Sequence, residues 1–141
     1  MRFWDSSALI PLLIEETTTA KLREILESDP AFAVWWGSRV ECVSAISRLE
    51  RMSELDARQA NAVFGHSRQL FDSAVEVPAS QVLRDLACRL LRVHPLKAAD
   101  ALQLSAALIL CEQQPGSLEL VSLDDRLRDA AAREGFAVLP G

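Results

Sequence analysis

The chain has 141 residues, 50% of them hydrophobic and 25% charged, with only 5 glycines, so it carries the apolar material for one core of ordinary size and is neither disordered nor low-complexity. Its 15 basic residues against 20 acidic ones leave a formal net charge of −5, which argues against a wholly basic nucleic-acid binder while leaving room for a basic rim around an acidic pocket. Three widely separated cysteines, Cys42, Cys88 and Cys111, imply neither a disulfide framework nor a zinc knuckle and read as small buried hydrophobes.

Arg2-Phe3-Trp4 is a short apolar run stopped by Asp5-Ser6-Ser7, after which Leu9, Leu12 and Leu13 recur at helical spacing, giving strand, turn and helix. A second helix is expected from Thr17 or Thr18 to about Glu27, with Leu22, Ile25 and Leu26 inward and Asp29-Pro30 closing it. Ala31 to Trp35 reads as a buried strand, with Trp35 inward and Trp36 on the opposite face. From Ser38, the expected N-cap, an amphipathic helix to about Met52 is expected to bury Val40, Val43, Ile46 and Leu49. Two further helical patterns run from Asp56 to about Leu70 and from Pro78 to about Leu91, with Pro78 suited to a first turn and Ala74 to Val77 a strand candidate between them. The last third holds a helix from about Lys97 to Gln113, a Pro115-Gly116 break, a strand from Leu118 to Ser122, a helix from Asp124 to Glu134, and a terminal strand from Phe136 to Leu139 after Gly135.

Strands alternating with helices imply parallel pairing, and nothing marks a linker or repeat, so the expectation is a single domain over residues 1–141 built as a three-layer α/β/α sandwich on a central parallel sheet. The N-terminal segment lacks a signal-peptide pattern, and the longest apolar stretch, Ala101 to Cys111, is too short to span a bilayer, which takes about 20 residues. The expected setting is cytoplasmic, with no membrane.

Asp5 and Asp124 occupy equivalent places, each following a strand and preceding a helix, which puts both at the C-terminal edge of a parallel sheet, where open α/β folds bind ligands. Each also suits a plain N-cap. Asp100 is the only charged residue between Lys97 and Glu112, in a helix apolar nearly all round, where an ionised carboxylate costs several kcal/mol without a cation or strong donors. Glu41 sits early in its helix, where the dipole favours an acid whatever its function. With two lone histidines, no Ser-His pair, no reactive-cysteine arrangement and no glycine-rich phosphate loop, any metal would be held mainly by oxygen. Four such acids suggest phosphodiester hydrolysis assisted by magnesium or manganese, with the metal activating water.

The segments Phe3-Trp4-Asp5-Ser6-Ser7-Ala8-Leu9, Ser38-Arg39-Val40-Glu41 with Ala45-Ile46-Ser47-Arg48-Leu49, Ala98-Ala99-Asp100-Ala101-Leu102-Gln103-Leu104, and Leu120-Val121-Ser122-Leu123-Asp124-Asp125-Arg126-Leu127 together resemble, in order and spacing, the motifs of the PIN domain and, within it, VapC-type toxins. The resemblance covers essentially the whole chain. It implies an acidic pocket of Asp5, Glu41, Asp100 and Asp124, with Asp5 and Asp100 as direct metal ligands, Asp124 and Glu41 holding metal-associated water or a second cation, and Ser6 and Ser122 as supporting polar groups. Asp125 stands where a basic or polar residue is common, leaving open which of Asp124 and Asp125 faces the metal. Implied with it are Mg2+- or Mn2+-dependent endonucleolytic cutting of RNA, a cognate antitoxin whose tail covers the groove, and a homodimer. Arginines make up 13 of the 15 basic residues, and Arg48, two turns beyond Glu41 on the same helical face, is a possible phosphate contact. The alternative is a non-catalytic PIN-like subunit that binds RNA or an antitoxin without cutting.

Overall fold

A computed structural model describes all 141 residues. Its elements are β1 (Arg2–Trp4), α1 (Ser6–Leu13), α2 (Thr19–Ser28), β2 (Phe32–Trp35), α3 (Ser38–Arg51), α4 (Ala57–Asp72), β3 (Val75–Val77), α5 (Gln81–Val93), α6 (Ala98–Leu110), β4 (Glu119–Val121), α7 (Asp125–Glu134) and β5 (Ala137–Leu139), with a 3-10 turn over Pro115–Ser117 before β4. The five strands form one sheet in the order β3-β2-β1-β4-β5, every pair parallel. The three-layer expectation holds.

Alternation along the short strands sorts the core into two layers, because successive side chains leave opposite faces of a sheet. Phe3, Ala33, Trp35 and Leu120 face α5, α6 and α7, meeting Leu83, Leu86, Leu90, Leu104 and Leu127. Trp4, Phe32, Val34 and Val121 face the other way, meeting Ala8 and Leu9 of α1, Leu22 and Ile25 of α2, Cys42 of α3 and Phe71 of α4. Fully burying a Leu- or Phe-sized side chain contributes about 1.5–3 kcal/mol, so each layer is anchored several times over.

The chain starts in the middle of the sheet. It adds β2 and β3 on one side, then returns to add β4 and β5 on the other, so the strand order reverses between β1 and β4. At such a reversal the connections leave in opposite directions and open a crevice beyond the carboxyl ends of the strands.

Several local expectations are corrected. Gly37, not Ser38, is the N-cap residue of α3, and Ser38 is fully buried with its hydroxyl turned to α6. A Cβ on Gly37 would stand 2.5 Å from the Trp35 indole nitrogen, a close approach that favours glycine there. The buried face of α3 is Ser38, Cys42 and Ile46, whereas Val40 is 69% exposed and Val43 also faces solvent, because this helix packs against α1 and α4 and leaves its Val40 side to a groove. Pro78 precedes α5, whose N-cap is Ser80, accepting from the Leu83 amide at 3.1 Å. Helix α6 stops at Leu110 rather than Gln113. Cys42 is buried as expected, but Cys111 is only partly buried and Cys88 is exposed, since it lies on the solvent face of α5 between the inward Leu86-Ala87 pair and Leu90. Trp35 is inward and Trp36 outward as expected, their rings in an edge-to-face contact with centroids 6.2 Å apart.

Candidate active site

All four predicted acids sit at the beginnings of helices. Asp5 is the N-cap position of α1, Glu41 lies in the first turn of α3, Asp100 in the first turn of α6, and Asp124 is the N-cap of α7. Helix N-termini carry partial positive charge, so this placement offsets part of the repulsion among gathered carboxylates. Strands β1 and β4 pair in parallel and deliver Asp5 and Asp124 to the same edge of the sheet, at the reversal of strand order.

Asp5 is 3% exposed and does not cap its helix. Its Oδ2 instead accepts from the Ser7 hydroxyl and from the Ser122 hydroxyl at 2.8 Å, with Ser6 Oγ at 3.4 Å from Oδ1. Ser7 Oγ also accepts from the Leu123 amide at 2.9 Å, tying α1 to the loop after β4. Asp124 does cap, its Oδ1 accepting from the Leu127 amide at 2.9 Å, while its own amide donates to Ser122 Oγ at 3.1 Å. Both aspartates thus hold the expected N-cap positions, but only Asp124 caps its helix with its side chain. Asp124 acts electrostatically on both Asp5 and Asp100, while Asp125 is exposed in the first turn of α7.

Glu41 is held from two sides: Ser6 Oγ donates to its Oε2 at 3.0 Å and Gln103 Nε2 to its Oε1 at 2.8 Å. Gln103 also donates to Ser38 Oγ at 2.9 Å, so one buried amide fixes α3 against α6. Sequence reasoning missed Gln103 as a site residue, although it interrupts an apolar helix one turn beyond Asp100. Ser7 was missed too, and nothing in the sequence distinguishes it from Ser6. Asp100 is only partly buried, at the open end of α6. The full burial its apolar neighbours suggest applies to the rest of that helix, Gln103 to Leu108. Arg48 is exposed, forms no ion pair, and lines the groove beside Glu41.

Loss of hydration dominates the electrostatics. Burial pushes the Asp5 carboxyl above its ordinary range; the Ser7 and Ser122 hydroxyls pull it back, and the charges of Asp100 and Asp124 push it up again. Glu41 is raised by burial, opposed by the Gln103 and Ser6 donors, and raised further by Asp5 and Asp100. Asp100 is raised by burial and by Asp124, against the lowering action of Lys97 and Arg126.

Three raised carboxyls on one sheet edge form an oxygen donor set that a hard cation would relieve, which fits magnesium or manganese in ligand type and charge. As placed, no three His, Cys, Asp or Glu side chains stand close enough together to hold an ion. A cation that takes one or two carboxylates directly and reaches the others through water, the usual habit of magnesium, needs no such cluster.

Residues 2–133 match the PIN domain family. The chain belongs to the PIN domain family. Solved structures with the same fold include a toxin-antitoxin complex from Klebsiella pneumoniae, at 18% identity and TM-score 0.65 over 88% of this chain and 87% of that one. FitAcB from Neisseria gonorrhoeae is similar at 15% identity and TM-score 0.69 over 98% and 96%. PAE2754 from Pyrobaculum aerophilum is similar at 20% identity and TM-score 0.68 over 97% and 81%. No curated protein matches the chain. No helix of this PIN domain is long and apolar enough to cross a membrane.

Proposed function

We propose that this PIN domain is a Mg2+- or Mn2+-dependent endoribonuclease, the toxin of a toxin–antitoxin pair working in the cytoplasm. The observation that carries the reading is the buried Asp5 carboxylate, bonded by Ser7 and Ser122 and surrounded by Glu41, Asp100 and Asp124 at the reversal of strand order. Asp5 and Asp100 would hold the cation directly, with Asp124 and Glu41 reaching it through water or holding a second one. When bound, such a cation activates water for attack on phosphorus and neutralises charge on the phosphate.

The chain's own groups do the positioning. Ser7 and Ser122 fix the Asp5 carboxylate by donating to one oxygen, Oδ2, leaving Oδ1 with only the long Ser6 contact. Gln103 and Ser6 clamp Glu41 so that its carboxylate cannot swing towards solvent. Arg48, unpaired in the groove that Glu41 lines, would meet a backbone phosphate.

An antitoxin partner fits the groove of about 720 Å³ running from the site along α1 and α3, lined by Ile10, Val40, Ala45, Leu49 and Met52 and ending at Glu41. Apolar walls that also carry Glu16, Glu41 and Arg48 suit a segment with apolar side chains and charges of both signs. The Klebsiella structure is a toxin–antitoxin complex, which supports such a partner here. A homodimer completes the reading, with solvent-facing Trp36 and Val82 as candidate apolar contacts.

The spacing of the acids favours a second reading, a PIN-like subunit that binds RNA or antitoxin without cutting. Cleavage of total cellular RNA by purified protein, with magnesium or manganese, with EDTA, and with Asp100→Asn prepared identically, separates the two. Discrete fragments that require both metal and Asp100 support the nuclease. Equal cutting by wild type and Asp100→Asn, or no cutting with either metal, overturns it.

A further inference from the structure

The turn between α5 and α6 faces α7 across a small pocket of about 60 Å³ lined by His94, Pro95, Arg126, Asp129, Ala130 and Arg133. Two guanidiniums in this pocket have no partner: neither Arg126 nor Arg133 forms an ion pair or a side-chain hydrogen bond, although Asp129 lies one turn from each on the same helix. His94 is 94% buried, and its Nε2 meets Glu134 Oε2 at 2.7 Å. A carboxylate only accepts, so Nε2 carries the hydrogen, and the second ring nitrogen, Nδ1, is left buried with no hydrogen-bond partner. Buried polar atoms without partners are uncommon, and this one belongs to a ring lining a pocket that two free guanidiniums also line.

The charge of Arg126 acts on Asp100, as does that of Lys97, which caps α6. The pocket and the acidic site are therefore neighbours. Guanidiniums are suited to phosphate oxygens because their planar donors can engage two at once.

We propose that the His94–Arg126–Arg133 pocket binds a phosphate of the RNA backbone next to the one being cut, fixing the strand's register over the acids. This rests on the ribonuclease reading above. Arg126 and Arg133 supply the cationic donors; a phosphate oxygen only accepts, so His94 joins them as the imidazolium, with Nε2–H to Glu134 and Nδ1–H to the same phosphate. Asp129 sets a limit on the site, since its carboxylate also lines the pocket and repels an anion there.

The test has two arms, both on the full chain. Inorganic phosphate is titrated into the metal-free protein while the His94 ring nitrogens are followed by NMR, and a short single-stranded RNA is bound to the non-cutting Asp100→Asn chain with and without R126Q and R133Q. Both arginines are exposed and unpaired, so their replacement leaves the fold intact, which the amide spectrum checks. The expected result is a saturable shift of His94 that R126Q with R133Q abolishes, RNA binding weakened about tenfold in the double variant, and a log–log salt slope shallower by about 0.7 for the lost phosphate contact. No response at His94, or a response that survives the double substitution, overturns the proposal. A phosphate response with unchanged RNA affinity also overturns it, and points to an acidic segment of a protein partner. Failure of RNA to bind even with both arginines present, while phosphate still moves His94, marks failure of the ribonuclease reading and leaves a bare anion pocket.

Discussion

Ser122 and Asp5 are 117 positions apart, yet the Ser122 hydroxyl donates to Asp5 Oδ2 at 2.8 Å across the β1–β4 pair. Ser122 is itself fully buried and accepts from the Asp124 amide, so one hydroxyl orders both aspartates of the strand edge. Ser122→Ala removes a donor from a buried carboxylate and an acceptor from a backbone amide. The expected cost is about 1–3 kcal/mol of stability, read by urea denaturation at neutral pH, together with loss of RNA cleavage. A change below about 0.5 kcal/mol, within the range of an ordinary surface substitution, would show that the hydroxyl is not holding Asp5.

The pH dependence of stability follows from the raised carboxyls. Asp5, Glu41 and Asp100 bind protons more tightly folded than unfolded, from ordinary values of 3.8, 4.5 and 3.8. Their contribution is therefore fully present below those ordinary values and is lost as pH rises through the raised ones. Without metal, the wild-type protein is expected to lose stability towards neutral pH more steeply than Asp5→Asn, with Asp5→Asn the more stable at neutrality. Denaturant titrations in EDTA at several pH values check this, and parallel profiles for the two proteins would contradict it.

Gln103 joins Glu41 to Ser38 and touches no other acid by hydrogen bond. Gln103→Leu keeps the volume in a buried, mostly apolar setting but frees Glu41. Outer partners of metal-site ligands typically carry about 10- to 100-fold in activity, and a drop in RNA cleavage of that size with retained fold is expected. Activity within about twofold of wild type would show that the orientation of Glu41 is unimportant.

Thiol reactivity gives an independent check on the packing. Burial, with Glu41 and Asp5 nearby, pushes the Cys42 thiol up to about 12, so it stays protonated and unreactive at ordinary pH. Cys88 is exposed and Cys111 partly buried, with its thiol also raised by burial. Iodoacetamide under native conditions is expected to modify Cys88 first, Cys111 slowly and Cys42 only on unfolding, as mass spectrometry of peptides reads. Native modification of Cys42 would contradict the placement of α3.

Much of the fold was legible because its signals are local. Phe3-Trp4, Phe32 to Trp35 and Leu120-Val121 are apolar runs bounded by polar or turn residues, and they are the three inner strands. Which strand lies beside which was not legible, since order is decided by packing between distant segments. The α3 stripe misled because amphipathic spacing assumes that a helix buries its apolar face: Val40 borders the groove next to Glu41, where apolar surface faces solvent. Asp5 and Asp124 look alike in sequence, each an acid between strand and helix, and only the structure separates the capping acid from the one engaged by serines. Gln103 was overlooked because a lone amide in an apolar helix carries no motif, and its role depends on two residues more than 60 positions away.

The central claim is that Asp5, Glu41, Asp100 and Asp124 form a cation site. Calorimetric titration of the metal-free protein with manganese tests it most directly, with Asp100→Asn alongside. The account predicts saturable uptake by wild type at millimolar metal or below and its loss or marked weakening in Asp100→Asn; no uptake by wild type, or equal uptake by both, would contradict it.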